Sequence, residues 1–426
     1  MVTCLFLVFI FLLVLGVPIS MVMLLASTCA IVGFSNYSLE VIAQKLFSQS
    51  NSFPLMAIPF FIFAGGIMSK GGMSERLIRL AYSIVGTIRG GLAMVSVVAC
   101  MFFASLSGST AATTAAIGMV MIPAIVKTGF SRGAATGLQA TAGSIGIIIP
   151  PSIPLILMGV IGGISIGELF IAGIIPGILV GVSLMGVAYI IARVQNHQPS
   201  GEKIQLGKIF KTFRESILSL LTVVFIVGSI MFGIATPTEA AIIAVIWALF
   251  VTGFIHKELT VSDVPALFVQ TVKITGIVVF CIAATAPFAW LLTIEEVPAL
   301  IATTMTSLTQ SPVMLKLMML VVLLIIGTFL DLTPAVIILV PIFQPISAQL
   351  NMPPVQFGLM MIMALGIGQC TPPVGISLFV ACSISKTKIG EVIIPMIPFI
   401  LGMLIPLLLV TFWPFLTVWL PAITIK

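Results

Sequence analysis

Asp331 is a lone carboxylate inside apolar sequence long enough to reach across a bilayer, flanked by Gly327, Thr328, Thr333 and Pro334. A carboxylate at membrane depth is costly and points to function by default, its natural partner being a cation. The stretch Ser105-Leu-Ser-Gly-Ser-Thr110 offers related chemistry without formal charge: the hydroxyls of Ser105, Ser107, Ser109 and Thr110, and the bare backbone at Gly108. Hydroxyls, carbonyls and carboxylates are hard oxygen donors, which suit an alkali cation. Each cluster faces, in sequence order, a break in a later apolar segment: Gly143-Ser-Ile-Gly-Ile-Ile-Ile-Pro-Pro151 for the first, Gly366-Ile-Gly-Gln-Cys-Thr-Pro-Pro373 for the second. Proline removes an amide donor and glycine loosens the backbone, so both stretches interrupt a helix. Free carbonyls in hydrocarbon cost several kcal/mol, so such breaks persist only where they line a cavity or bind something. Matched breaks in two halves of a membrane chain mark the binding site of a transporter.

Each of these residues also has a plainer use. Serine, threonine and glycine are common helix-packing residues in membranes, and Asp331 can cap the helix that opens at Thr333-Pro334. Capping and cation binding are compatible at one residue. In Thr236-Pro-Thr-Glu-Ala-Ala241, capping by a threonine with Glu239 in the first turn is a sufficient account, which leaves Glu239 out of the site. The two histidines, His197 and His256, fall in or beside polar loops, so no histidine triad or zinc site forms at mid-membrane. No phosphate-binding Gly-Lys-Ser loop is present to make an ATP-driven pump. An ion gradient is left as the energy source, and the chain is read as a transporter rather than an enzyme.

The elements that hold these residues are membrane helices. Hydrophobic residues make up 60% of the 426 and charged residues 7%, where a soluble domain has about a quarter charged. Runs such as Met1–Leu25, Leu169–Ile191 and Ile389–Leu420 span a hydrocarbon core, and the length leaves room for about a dozen segments. The N-terminal run lacks a basic leader and a good cleavage site, so it is read as a first helix over 2–25. The net charge of +6 gathers in short loops, above all 193–214 and Lys70–Arg89. That pattern places those loops in the cytoplasm and is no footprint of nucleic acid. The six cysteines lack metal-ligand spacing.

An internal duplication orders the rest. Pro150-Pro151 answers Pro372-Pro373, Pro59-Phe60 answers Pro287-Phe288, and Ile166-Gly-Glu168 answers Ile389-Gly-Glu391. Each half runs amphipathic stretch, interrupted block, helix, break, helix, long helix. The interrupted blocks, 92–126 and 313–348, have arms at or below spanning length, which favours re-entrant hairpins over pairs of full spans. The expected fold is an all-α polytopic membrane protein with two inverted repeats, each a re-entrant hairpin followed by a broken helix.

Gly233-Ile-Ala-Thr-Pro-Thr-Glu-Ala-Ala241, the Ser107-Gly-Ser-Thr-Ala111 tip, Ile149-Pro-Pro151 and Thr371-Pro-Pro-Val-Gly375 together resemble the large membrane subunit of tripartite ATP-independent periplasmic (TRAP) transporters, most closely its sialic-acid branch. The resemblance runs essentially end to end. It implies a multi-pass subunit of the bacterial inner membrane, a small four-helix membrane subunit beside it, and a periplasmic binding protein that delivers the substrate. It also implies an elevator mechanism and sodium as coupling ion, at least two per cycle. One sodium would lie among Ser105, Ser107, Gly108, Ser109, Gly143, Ser144, Gly146 and Pro150. The other would lie among Gly327, Thr328, Asp331, Gly366, Gly368, Cys370 and Thr371. Thr110, Ser152, Thr333 and Pro373 would face the organic acid between them.

The implied division has scaffold helices and a first amphipathic arm in 1–92, and a first transport repeat in 93–167. Central scaffold helices fill 168–292, with the cytoplasmic loop at 193–214. A second arm follows in 293–312, a second transport repeat in 313–388, and a C-terminal scaffold helix in 389–426. The expected activity is sodium-coupled uptake of sialic acid. The alternatives are a self-sufficient sodium–dicarboxylate symporter and a TRAP permease for C4-dicarboxylates.

Overall fold

The computed structural model describes residues 1–35, 37–86, 88–197, 206–372 and 375–424. Pro373 of the second break, and Glu202 and Lys203 of the basic loop, lie outside them. Nine of the described helices are long and apolar enough to cross a membrane. The chain begins with α1 (Val2–Val14) and α2 (Ile19–Phe34), which pack on each other, then α3 (Glu40–Ser50), α4 (Ala57–Lys70) and α5 (Met73–Val85). The single helix expected over 2–25 is therefore two. Gly16 takes a left-handed φ of 77° and Pro18 caps α2, so the apolar run hides a turn that glycine and proline build. The short helix α3 was not expected from the sequence at all.

The first hairpin is α6 (Gly91–Ser107) and α7 (Thr110–Lys127); the first broken helix is α8 (Arg132–Gly143) and α9 (Ile153–Gly162). Four long helices follow: α10 (Ile166–Val194), α11 (Leu206–Met231), α12 (Pro237–Phe250) and α13 (Val264–Ile294). Thr236 and Glu239 make the reciprocal capping box of α12, which accounts for both residues structurally. Next come α14 (Val297–Leu308), the second hairpin α15 (Pro312–Phe329) and α16 (Leu332–Gln349), and the second broken helix α17 (Pro354–Gly368) and α18 (Ile376–Ser385). The chain closes with α19 (Ile389–Phe412) and α20 (Phe415–Thr424), so the last apolar run is also divided, at Trp413-Pro414.

The 31-residue α13, about 46 Å long at 1.5 Å per residue, serves as a ruler. Asp263 at its start meets Lys70 at the end of α4 (3.5 Å), and Glu258 meets Arg76 of α5 (2.6 Å). The first hairpin starts beyond α5, at that end of α13. The second starts beyond α14, at the other end. Both tips reach the middle of α13, beside Ile274 and Val278. The two hairpins thus approach one level from opposite ends.

Each broken helix begins against its own hairpin and finishes against the other. α8 packs on α6 and α7 while α9 packs on α16; α17 packs on α15 and α16 while α18 packs on α7 and α8. Polar contacts tie these crossings. The Ser377 hydroxyl donates to Ala140 O (2.6 Å) and pairs with the Thr114 hydroxyl (2.8 Å), and Gln344 Nε2 donates to Gly162 O (2.7 Å). Around this core, α10 lies on α6 and α19 lies on α8 and α17, the two joined by Ser183 donating to Gly402 O. A Cβ on Gly137 of α8 would come within 2.7 Å of Met396 Cβ on α19, so glycine sets that close approach. α4, α5, α11 and α12 pack on one another, α5 and α4 also pack on α6 of the first hairpin, and α13 bridges α4 to α16.

Candidate functional site

At the first tip, α6 ends on Gly108 with a left-handed φ of 58°, and Ser109 caps α7 by accepting from the Ala112 amide. The tip presses on the first break. A Cβ on Gly108 would stand 3.0 Å from Pro151 O, and one on Gly146 would stand 2.7 Å from Thr113 Oγ1 and 2.8 Å from Ser109 O. The Ser107 and Thr113 hydroxyls are 2.7 Å apart. The Ser152 hydroxyl donates to Ile147 O (2.7 Å) and closes the break into a loop. Ser107, Ser109 O, Thr113 and Gly146 therefore form one oxygen-rich corner.

At the second tip, Asp331 caps α16: its Oδ1 accepts from the Leu332 amide and from Gln369 Nε2, both at 2.8 Å. Gly327 and Gly368 touch backbone to backbone, where a Cβ on Gly368 would collide with the Gly327 main chain. The Thr371 hydroxyl donates to Gly368 O (2.9 Å).

Both tips line one cavity of about 210 Å³, with Gly108, Ser109 and Thr110 on one side and Asp331, Leu332 and Thr333 on the other. Gln369 joins them from the second break, Ile147 and Ile153 from the first, and Ile274 and Val278 of α13 form the far wall. Four helices, α7, α9, α16 and α18, place their first residues on this cavity. Unpaired amides and the helix dipole make such ends favourable to anions. Asp331 is the single formal charge in the lining. An anion bound beside it in a poorly screened interior needs cations to offset both charges. Thr110 Oγ1 and Gln369 Oε1 are buried without a partner. Leaving each unsatisfied costs about 1–3 kcal/mol.

Not every residue singled out from sequence reaches this cavity. Ser105 donates to Phe102 O (2.6 Å) and, with Pro150, lines an apolar recess against α11. The Ser144 hydroxyl donates to Thr141 O and faces Met403. Gly143 packs on Thr114, and Gly366 on the Ile147 side chain. Thr328 donates to Ile325 O within its own helix, and the Cys370 thiol donates to Ala140 O. Gln369, Thr113 and the α13 wall were not anticipated. Gln369 stood in the quoted second break, and its amide among glycines was the available signal.

A second cavity, of about 560 Å³, shares Ser109, Ile153 and Ile274 with the first and runs between α4, α7 and α13 to Lys70. Outside the membrane segments at that end, the hydrogen-bonded Arg76 guanidinium holds the Glu258 carboxyl below the usual carboxylate range. The Thr260 hydroxyl and amide do the same for Asp263.

Residues 6–416 match the family described as the tripartite ATP-independent periplasmic transporter, DctM component. The chain belongs to that family. It is 40% identical over 397 residues to the C4-dicarboxylate TRAP transporter large permease protein DctM of Pseudomonas aeruginosa, covering 93% of each chain. It is 40% identical to the isethionate TRAP transporter permease protein DctMQ of Oleidesulfovibrio alaskensis, covering 94% of this chain and 63% of that longer one. It is 37% identical to the 2,3-diketo-L-gulonate TRAP transporter large permease protein of Escherichia coli, covering 94% of each. In fold it is similar to the Alcanivorax borkumensis YdaH transporter, with a TM-score of 0.59 at 15% identity over 89% of each chain. The chain is a multi-pass permease of the bacterial inner membrane and not an enzyme. These relatives are named for other organic anions, so the sialic-acid branch expected above gives way to the coarser family.

Proposed function

We propose that this permease takes up a small organic anion of the C4-dicarboxylate class, coupled to at least two sodium ions. A periplasmic binding protein would deliver the anion, and a small membrane subunit would sit alongside. The observation that carries the reading is the single cavity where four helix N-termini, Asp331 and two unpartnered polar atoms meet. The N-termini favour the anion's carboxylates. The oxygen corner of Ser107, Ser109, Thr113 and Gly146 supports one sodium position, and Asp331, Gln369 and the Gly327–Gly368 backbone support the other. The C4-dicarboxylate relatives favour that class of anion.

The hairpins would be re-entrant, meeting tip to tip within the bilayer, and would travel together with the broken helices as an elevator. The packing of α10 and α19 on α6, α8 and α17 supports moving them with the hairpins, a division that differs from the one the resemblance implies. α4, α11 and α12 would stay behind, with α5 linking them to α6.

Uptake of labelled succinate into proteoliposomes containing the chain, its small subunit and a binding protein tests the proposal. Uptake that needs both a sodium gradient and the binding protein supports it. Sodium-driven uptake without the binding protein would replace it with a self-sufficient symporter, and downhill flux indifferent to sodium would replace it with a channel.

A further inference from the structure

The tip cavity opens toward one end of the molecule, and the path there carries one formal charge. The vestibule of about 560 Å³ continues from Ser109, Ile153 and Ile274 and ends at Lys70. Its walls are otherwise small, apolar or uncharged: Gly65 and Gly66 of α4, Ala112 of α7, Gln270 of α13. Lys70 is the last residue of α4, its side chain 56% exposed, with its ammonium 3.5 Å from Asp263. The Thr260 amide (3.0 Å) and hydroxyl (2.6 Å) fix that carboxylate in turn. A 3.5 Å contact to an anchored partner holds the ammonium at the vestibule mouth, where more than half of the Lys70 side chain stays exposed. Arg76 and Arg79 of α5, with Arg89, Lys127 and Arg132 beside the loops, gather at this end, which marks it as cytoplasmic.

We propose that Lys70 is a positioning residue of the release path, its ammonium staging the organic anion between the tip cavity and the cytoplasm. The inference rests on the anionic substrate argued above. A cation at the mouth of a low-dielectric passage concentrates anions there and speeds their passage, and the effect falls as salt screens it. Asp263 keeps the ammonium from entering the vestibule and occupying the anion's place.

The test is exchange of labelled succinate presented at the cytoplasmic face of proteoliposomes, at low and high salt. Lys70→Cys should exchange up to about tenfold more slowly at low salt, the lower end of electrostatic steering by a charged face, and should lose part of the salt dependence, the other cations at this end keeping the rest. Lys70→Arg should keep both. Aminoethyl methanethiosulfonate restores an ammonium on Lys70→Cys and should restore the rate, whereas the sulfonatoethyl reagent should not. The wild-type chain treated in parallel controls for the exposed native thiol of Cys29. Unchanged exchange in Lys70→Cys, or equal rescue by both reagents, overturns the proposal for Lys70 alone. Wild-type vesicles that exchange no diacid overturn instead the substrate class on which it rests.

Discussion

Replacing Gln369 with leucine removes two things at once: the Nε2 donor 2.8 Å from Asp331 Oδ1, and the unpartnered Oε1 beside the tip cavity. The buried Gln369 Oε1 lacks a partner when no ion is bound, and leaving such a group unsatisfied costs about 1–3 kcal/mol, so an ion that it ligates gains roughly tenfold in its dissociation constant from that relief. If Asp331 and Gln369 hold a sodium ion together, Gln369→Leu should weaken sodium binding by about tenfold or more. The effect is readable without substrate or partner proteins, because an ion that binds the folded state stabilises it. At a sodium concentration one hundred times the wild-type Kd, that stabilisation is about 2.7 kcal/mol, and tenfold weaker binding cuts it to about 1.4 kcal/mol. Thermal unfolding of the purified permease in sodium against choline should therefore show the sodium-dependent shift in Tm roughly halved. The helix itself should persist, since the Gln369 amide donates to Leu365 O at 2.9 Å whatever the side chain. A Gln369→Leu variant with the full wild-type sodium shift would refute the reasoning.

Other outcomes follow from the same geometry. Ser105→Ala should leave the sodium dependence of uptake unchanged, because its hydroxyl is engaged by Phe102 O and faces α11; a sodium titration of uptake checks this. Gly368→Val forces a side chain into the Gly327 backbone and should lower stability by about 1–3 kcal/mol, seen as a lower thermal midpoint in choline, with a smaller sodium-dependent rise than wild type. Glu258→Gln breaks the contact that anchors α5 through Arg76, but so exposed a pair should contribute well under about 1 kcal/mol. Because the Glu258 carboxyl titrates below its usual value when folded, that contribution is complete at neutral pH. It is lost as pH falls below the ordinary glutamate range and through the lowered folded value, and wild type and Glu258→Gln should converge in unfolding midpoint at acid pH.

Much of the site was legible in the chain because its chemistry conflicts with its surroundings. Glycine, proline and serine inside apolar blocks stand out against a membrane background, which located both hairpin tips and both breaks to within a few residues. Asp331 stood out for the same reason. Gly16 and Pro18 offered a similar signal, but the unbroken apolar run around them masked the turn between α1 and α2. Ile274 and Val278 could not be found this way: they are ordinary apolar residues, and only packing of α13 across the tips makes them a wall. The exchange of α9 and α18 between the two repeats was equally hidden, since it depends on which surfaces meet and not on any local pattern. Ser105, Ser144 and Thr328 show the converse, hydroxyls of a suitable type whose helical phase turns them away from the cavity.

The most direct test of the central claim is an experimental structure of the permease, with its small subunit, in sodium and a C4-dicarboxylate. The account predicts the diacid between Thr110 and Thr333, with its carboxylates toward the first turns of α7, α9, α16 and α18 and sodium beside Asp331 and Gln369. A diacid bound elsewhere, or a tip cavity filled by protein side chains, would contradict it.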